Sequence, residues 1–269
     1  MSQILALPKE LFRNRVLIFQ LAKNDFKKKY AGSYLGIVWA FVQPVVTVMV
    51  YWFVFGLALR GDSAPRPVPF VLWLIAGLVP WFFFQDSLVN GTNALLEYNY
   101  LVKKVVFRID ILPMVKVISS MYVHLFFILV TLVLYIAMGY FPDLYTLQAV
   151  YYTFCAVALV LGLSYMTSAV VVFFRDLTQV INIALQVGVW MTPIMWSFED
   201  IGLGGILVKI LKLNPMFYIV QGYRDAFINK VWFFERPALT LYFWGFTLLF
   251  FVLGTRMFKK LKVHFADVL

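Results

Sequence analysis

Apolar residues run almost without interruption through 36–59, 68–87, 111–138, 149–174, 177–196 and 239–257. Crossing ~30 Å of hydrocarbon takes ~20 helical residues, so the pattern predicts six transmembrane helices. Gly77 and Pro80 predict a kink in the second. Lys116 falls near the start of the third, where its long stem is expected to snorkel toward water. Only Phe174-Arg175-Asp176-Leu177 separates the fourth from the fifth, which predicts a tight turn.

Three further stretches carry apolar positions without the length to span. In residues 8–30, Leu11, Phe12, Val16, Phe19 and Phe26 recur at helical spacing among Arg13, Arg15, Lys23 and Lys27. This is the pattern of a basic amphipathic helix lying in the inner interface. Residues 92–108 mix Leu95, Leu96, Leu101, Val102, Val105 and Val106 with Glu97, Lys103, Lys104 and Arg108. Residues 197–236 hold two short apolar runs, Ile206 to Leu213 and Met216 to Ile228. Protein walls must shield such runs if they re-enter the membrane, so they predict an outer re-entrant hairpin. The fold class that follows is an all-α integral membrane protein. It has six transmembrane helices, an N-terminal amphipathic interfacial helix, a cytoplasmic helical segment and the outer hairpin. The chain reads as one domain, 1–269, with the interfacial helix in 1–35, the membrane core in 36–257 and a cytoplasmic tail in 258–269. No internal repeat supports the pseudosymmetry of many secondary transporters.

Composition agrees with lipid as the solvent. The chain is 63% hydrophobic and 13% charged, where a soluble domain carries about a quarter charged residues. The net charge of +10 sets orientation. With the N-terminus inside, inner segments hold 16 Lys and Arg and outer segments 7, so both termini are expected in the cytoplasm of a multi-pass cell-membrane protein. Some of these cations fit a polyanionic substrate as well as anionic lipid. Nucleic acid is not an expected partner, because no soluble basic domain is present. The single cysteine, Cys155, forms no disulfide within one chain. Residues Met1 to Tyr30 lack the apolar core and cleavage site of a secretory signal.

Candidate chemistry is sparse. No G-x-x-x-x-G-K-[ST] phosphate loop occurs, so the chain is not expected to hydrolyse nucleotide. The only histidines are His124 and His264, too few for a His-rich metal site. The spans hold few acids, which disfavours a proton-driven carrier, while sodium coupling through backbone carbonyls stays open. Asp86, Glu97 and Asp110 are too scattered for a membrane enzyme acting on a lipid-linked sugar. His124 reads either as a packed neutral imidazole or as a functional group. Arg175-Asp176 reads as a local ion pair or as a contact for a cytoplasmic partner. Gln179, Asn182 and Gln186 share one helix face, either as interhelical glue or as the lining of a polar conduit. Aromatic residues of the first two spans read as lipid belt or as sugar platforms. Lys27, Lys28 and Lys29 stand at the inner headgroup level before the first span, set either for orientation or for substrate phosphates.

Several strings, in order, resemble the ABC-2-type polysaccharide export permeases. They are Lys29 to Trp39 with Gln43-Pro44, Ala76 to Phe83, Asn99 to Lys103 with Ile111-Leu112-Pro113, Phe174-Arg175-Asp176, Pro193-Ile194, Leu213-Asn214-Pro215 and Gly222-Tyr223-Arg224. Within that family the strings Tyr51 to Leu57, Lys212 to Ile219 and Thr240 to Trp244 are most similar to teichoic acid export permeases. Ala31 and Arg108 depart from the common pattern, where Arg and Pro are usual. The resemblance implies a homodimer paired with two copies of a separate cytoplasmic ATPase. ATP and Mg would sit on that partner, with no cofactor or metal in this chain. It implies coupling through Leu95, Leu96, Tyr100, Leu101, Val102 and Lys103, with Arg175 and Asp176. It implies a substrate entrance or path along Lys27, Lys28, Lys29, Trp39, Tyr51, Gln179, Asn182 and Gln186. The implied cargo is a lipid-linked anionic glycopolymer, teichoic acid or alternatively O-antigen or capsular polysaccharide.

Overall fold

The computed structural model describes residues 11–58, 67–103, 108–198, 202 and 204–269. Lys9, Arg60, Arg66, Lys104, Val105, Val106 and Phe107 lie outside the described residues. Helix α1 is Arg15–Lys29. A 3-10 turn, Gly36–Val38, leads into α2, Trp39–Tyr51, which continues as π-helical Trp52–Ala58. Then come α3 (Phe70–Thr92), two single turns α4 (Ala94–Glu97) and α5 (Asn99–Val102), and α6 (Leu112–Ala137). They are followed by α7 (Gln148–Val171), α8 (Leu177–Met191), α9 (Gly205–Lys212), α10 (Pro215–Arg224), α11 (Pro237–Leu261) and α12 (Phe265–Val268). No strand occurs among the described residues.

Among the described residues, five helical stretches are long and apolar enough to cross a membrane: Gly36–Ala58, Phe70–Thr92, Ile109–Ala137, Leu144–Val171 and Pro237–Val268. The sixth expected span, 177–196, is shorter. Helix α8 stops at Met191 because Thr192 turns extended and Pro193 follows, whose ring disfavours helix in the residue before it. The second span runs further than its hydropathy, to Thr92, and passes Pro80 without a break. Its polar end is accommodated because α3 is the central helix, with 78% of its apolar window enclosed by protein against 6% for Gly36–Ala58. Helix α3 packs on α6, α7 and α10, while α7 packs along α11.

The packing of α1, Lys116 and the C-terminal segment adds to the expected picture and corrects it at Lys116. The protein-facing side of α1 is Ile18, Ala22 and Asp25, and Ile18 and Ala22 cluster with Ile111 and Val115. Phe12, Val16 and Phe19, assigned to the apolar face, are exposed. The small residues let the helices approach, and the large ones are left for the bilayer interface. Lys116 does not snorkel; it is buried against α1. In the 258–269 tail, Phe265 packs on Phe258 and Phe173 and Lys262 pairs with Asp110 at 2.5 Å. The segment expected on the outer side holds two short helices, α9 and α10. The second, α10, is buried along Met216, Phe217, Tyr218, Ile219 and Val220, whereas Ile206, Leu207 and Ile210 of α9 are exposed.

Candidate functional site

The C-terminal end of α1 and helices α2, α3, α6 and α8 surround a cavity of about 730 Å³. Its charged edge is built from three elements. Lys29 Nζ donates to Asp86 Oδ1 at 2.5 Å, and Ser120 Oγ donates to Asp86 Oδ2 at 2.6 Å. Burial pulls the Lys29 ammonium down, but the Asp86 carboxylate outweighs it and holds the group above its ordinary value. Elsewhere the wall is aromatic and amide in character: Trp39, Gln43 and Tyr51 from α2, Trp81 from α3, and Asn182, Gln186 and Trp190 from α8. Helical periodicity brings Asn182, Gln186 and Trp190 to one side, since positions four apart lie on the same face. Flat rings offer apolar contact, and carboxamides offer both donors and acceptors. Such a wall suits a ligand with sugar-like faces and hydroxyls.

A second polar cluster joins α1, α4 and α6. Lys116 Nζ lies 2.6 Å from Asp25 Oδ1 and 2.5 Å from Glu97 Oε2, and Tyr98 OH donates to Asp25 Oδ1 at 2.8 Å. Burial, followed by the hydrogen bond to Asp25, pushes the Tyr98 phenol well above its ordinary value. One ammonium thus serves two carboxylates, one buried and the other half-exposed. The expected single helix over 92–108 is interrupted at Tyr98, leaving the turns α4 and α5. Its apolar residues divide. Leu95 and Val102 are buried in the chain's own core, Leu96 and Leu101 are half-buried, and Tyr100 and Lys103 are exposed. Asn93, at the start of this segment, accepts a hydrogen bond from Thr178 at 2.8 Å. The bond ties the segment to the turn that carries Arg175 and Asp176. Both of those residues are exposed, and the expected ion pair between them is absent among the described contacts.

The sequence model of the ABC-2 type transporter family matches residues 16–228. The chain belongs to the ABC-2 type transporter family. It is 26% identical to the O-antigen export system permease protein RfbA of Myxococcus xanthus, over 98% of this chain and 99% of that one. It is 29% identical to the protein of the same name from Klebsiella pneumoniae, over 94% and 95%. The polysialic acid transport protein KpsM of Escherichia coli is 22% identical, over 91% and 93%.

In this ABC-2 chain, Lys29, Trp39, Tyr51, Asn182 and Gln186 of the expected path line one cavity. Lys27, Lys28 and Gln179 are exposed and do not line it. Sequence reasoning gave no role to Asp25, Asp86 or Ser120, and it misjudged Lys116. A signal was available: Asp86 is the lone charge in Phe70–Thr92, and Lys116 the lone charge in Leu112–Ala137. A lone charge in an apolar span requires a partner. His124 is buried, with Nε2 3.0 Å from Tyr223 OH, and so links a cavity-lining residue to α10. Arg224, at the end of α10, donates to the carbonyls of Pro193 and Ile194 at 2.6 and 2.7 Å and lies over the Trp73 ring. It thereby satisfies carbonyls freed where the chain leaves α8, as non-helical backbone at membrane depth requires.

Proposed function

We propose that this chain is the membrane subunit of an exporter that moves lipid-linked polysaccharide outward, driven by a separate cytoplasmic ATPase. The observation that carries this reading is the cavity, which joins an ion-paired edge to an aromatic and amide wall. Relatives matched over nearly their whole length are named for O-antigen export and polysialic acid transport. Those names favour O-antigen-like or capsular polysaccharide over teichoic acid as cargo. The same reading puts both termini in the cytoplasm, in keeping with the excess of Lys and Arg on the inner segments.

A second copy of the chain completes the conduit in this proposal. Val46, Met49, Val50, Phe53 and Leu57 of the first span are exposed, as are Val180, Ile183 and Val187 of α8. These two helices flank a cavity that holds a lysine, an aspartate and amides. Exposure of such groups to hydrocarbon is costly, and a partner copy against α2 and α8 removes them from lipid. Cells lacking this chain are expected to lose surface polysaccharide and accumulate the lipid-linked polymer inside. Unchanged surface polymer in the deletion strain sinks the reading, and analysis of the trapped polymer identifies the cargo.

The coupling role falls to the exposed part of 92–103. Tyr100 is half-exposed, so a charge there perturbs the isolated subunit little, whereas Leu101 is half-buried against the core and a charge there carries some folding cost. Buried in a partner's groove, an unpaired charge costs several kcal/mol. Tyr100→Asp and Leu101→Asp are expected to leave insertion intact and to abolish co-purification of the ATPase or polymer export. Two fully assembled, fully active variants remove this segment from the mechanism.

A further inference from the structure

Among the described residues that line the cavity, Lys29 is the one cation and Asp86 the one carboxylate, and they are bonded to each other. We propose that Asp86 is an admission residue: it occupies Lys29 in the empty cavity and yields it to the phosphate group of an incoming lipid-linked ligand. The inference rests on the export reading above and adds to it a competitor for the anion. Asp86 is built to release its partner without collapsing. Ser120 holds the other carboxylate oxygen from α6, and Ser120 in turn accepts from Asn90 at 3.4 Å. The aspartate therefore stays anchored when Oδ1 is vacated.

Exposure makes the exchange feasible. The side chains of Lys29 and Asp86 are 32% and 39% exposed, so water screens the pair and receives the freed carboxylate. A phosphate or diphosphate offers the lysine more charge and more acceptor oxygens than one carboxylate does. A neutral polyprenol or an uncharged glycan offers no such replacement and leaves the pair closed. The resting ion pair thus acts as a filter on charge at the edge of a wall suited to sugars. The same balance explains a carboxylate beside a cation that would otherwise bind anions more tightly, since Asp86 keeps the site from filling with any weak anion.

The test is direct binding to the full chain in phosphatidylcholine nanodiscs, with polyprenyl diphosphate, neutral polyprenol and phosphatidylglycerol as probes. Asp86→Asn is expected to tighten polyprenyl diphosphate binding about fivefold, the size of one screened ion pair, with no gain for polyprenol. Lys29→Gln weakens it, and Lys29→Gln with Asp86→Asn matches Lys29→Gln alone, because Asp86 acts through the lysine. Ser120→Ala keeps both charges but removes the anchor of the vacated carboxylate, so it is expected to shift affinity in the opposite direction to Asp86→Asn, and it guards against misfolding of that variant. An equal gain for phosphatidylglycerol supports the phosphate site and assigns it to bulk lipid, whereas a gain confined to the diphosphate assigns it to the carrier lipid. Wild-type binding with no gain in Asp86→Asn and no loss in Ser120→Ala overturns the admission role while leaving export intact. Absence of binding by every variant overturns it too, and polymer export in cells then judges the export reading separately.

Discussion

Lys116→Met is expected to destabilise the permease by about 3–5 kcal/mol, the cost of leaving one partner of a buried ion pair without the other. The Lys116 side chain is 4% exposed, and its closest buried partner, Asp25, is 9% exposed. Once the ammonium is gone, Tyr98 OH is left donating to that carboxylate. Glu97 is half-exposed, so water takes over its solvation and its share of the loss is small. Thermal unfolding followed by fluorescence-detected size exclusion reads the effect in a fixed detergent. Adding Asp25→Leu to Lys116→Met removes the orphaned charge and is expected to recover most of the stability. Glu97→Gln alone is expected to cost little. A Lys116→Met protein as stable as the wild type rules out the buried cluster as a structural joint.

The recovery experiment also separates stability from coupling. The cluster is where α1, the 92–103 segment and α6 share one cation. A hydrophobic replacement of the pair can restore packing, but it leaves Glu97 without the ammonium that fixes α4 to α6. Under the proposed coupling role, the recovered double variant folds well yet transmits poorly. Export is then reduced more than stability is.

Hydropathy made five of the six expected spans legible, because long apolar runs have few other places to go, whereas the sixth, α8, is shorter than a full span. It could not say which side of each helix meets protein, since lipid is as apolar as a neighbouring helix. For that reason the pattern of Phe12, Val16 and Phe19 marked an interfacial face but left unmarked Ile18 and Ala22, the residues that pack on protein. The second span was drawn to 87, through Gln85 and Asp86, whereas its helix runs on to Thr92. Gln85 and Asp86 line an internal cavity, so polarity there marks a site. The periodicity of α8 identified Asn182 and Gln186 as sharing a face, and both reach the cavity, but Gln179 at the helix start does not. The charge partners Lys29–Asp86 and Lys116–Asp25 join residues 57 and 91 positions apart. No local pattern encodes such pairs; only the folded arrangement brings them together.

Gly254→Val is expected to separate α7 from α11 and to remove most of the folded protein. These helices cross where Gly254 faces Gly162, so closely that a Cβ at Gly254 would run into the Gly162 carbonyl oxygen and lie 2.9 Å from the Met166 amide nitrogen. A Cβ at Gly162 would lie 2.9 Å from the Phe251 amide nitrogen. The obstacles are backbone atoms on both sides, which no rotamer change can move. Small residues are what permit such an approach, and in lipid close packing is a principal force joining helices. Overpacking a core typically costs about 1–3 kcal/mol, and three added carbons against rigid backbone belong at or above the upper end of that range. Gly254→Ala should show a smaller loss in the same direction. The control lies on the same helix: a Cβ at Gly245 meets nothing within 4 Å, so Gly245→Ala removes a flexible glycine without a clash and is expected to leave stability unchanged or slightly higher. Yield and melting temperature of the monodisperse protein compare the three variants. Equal behaviour of Gly254→Val and Gly245→Ala means that the two helices do not meet at this crossing.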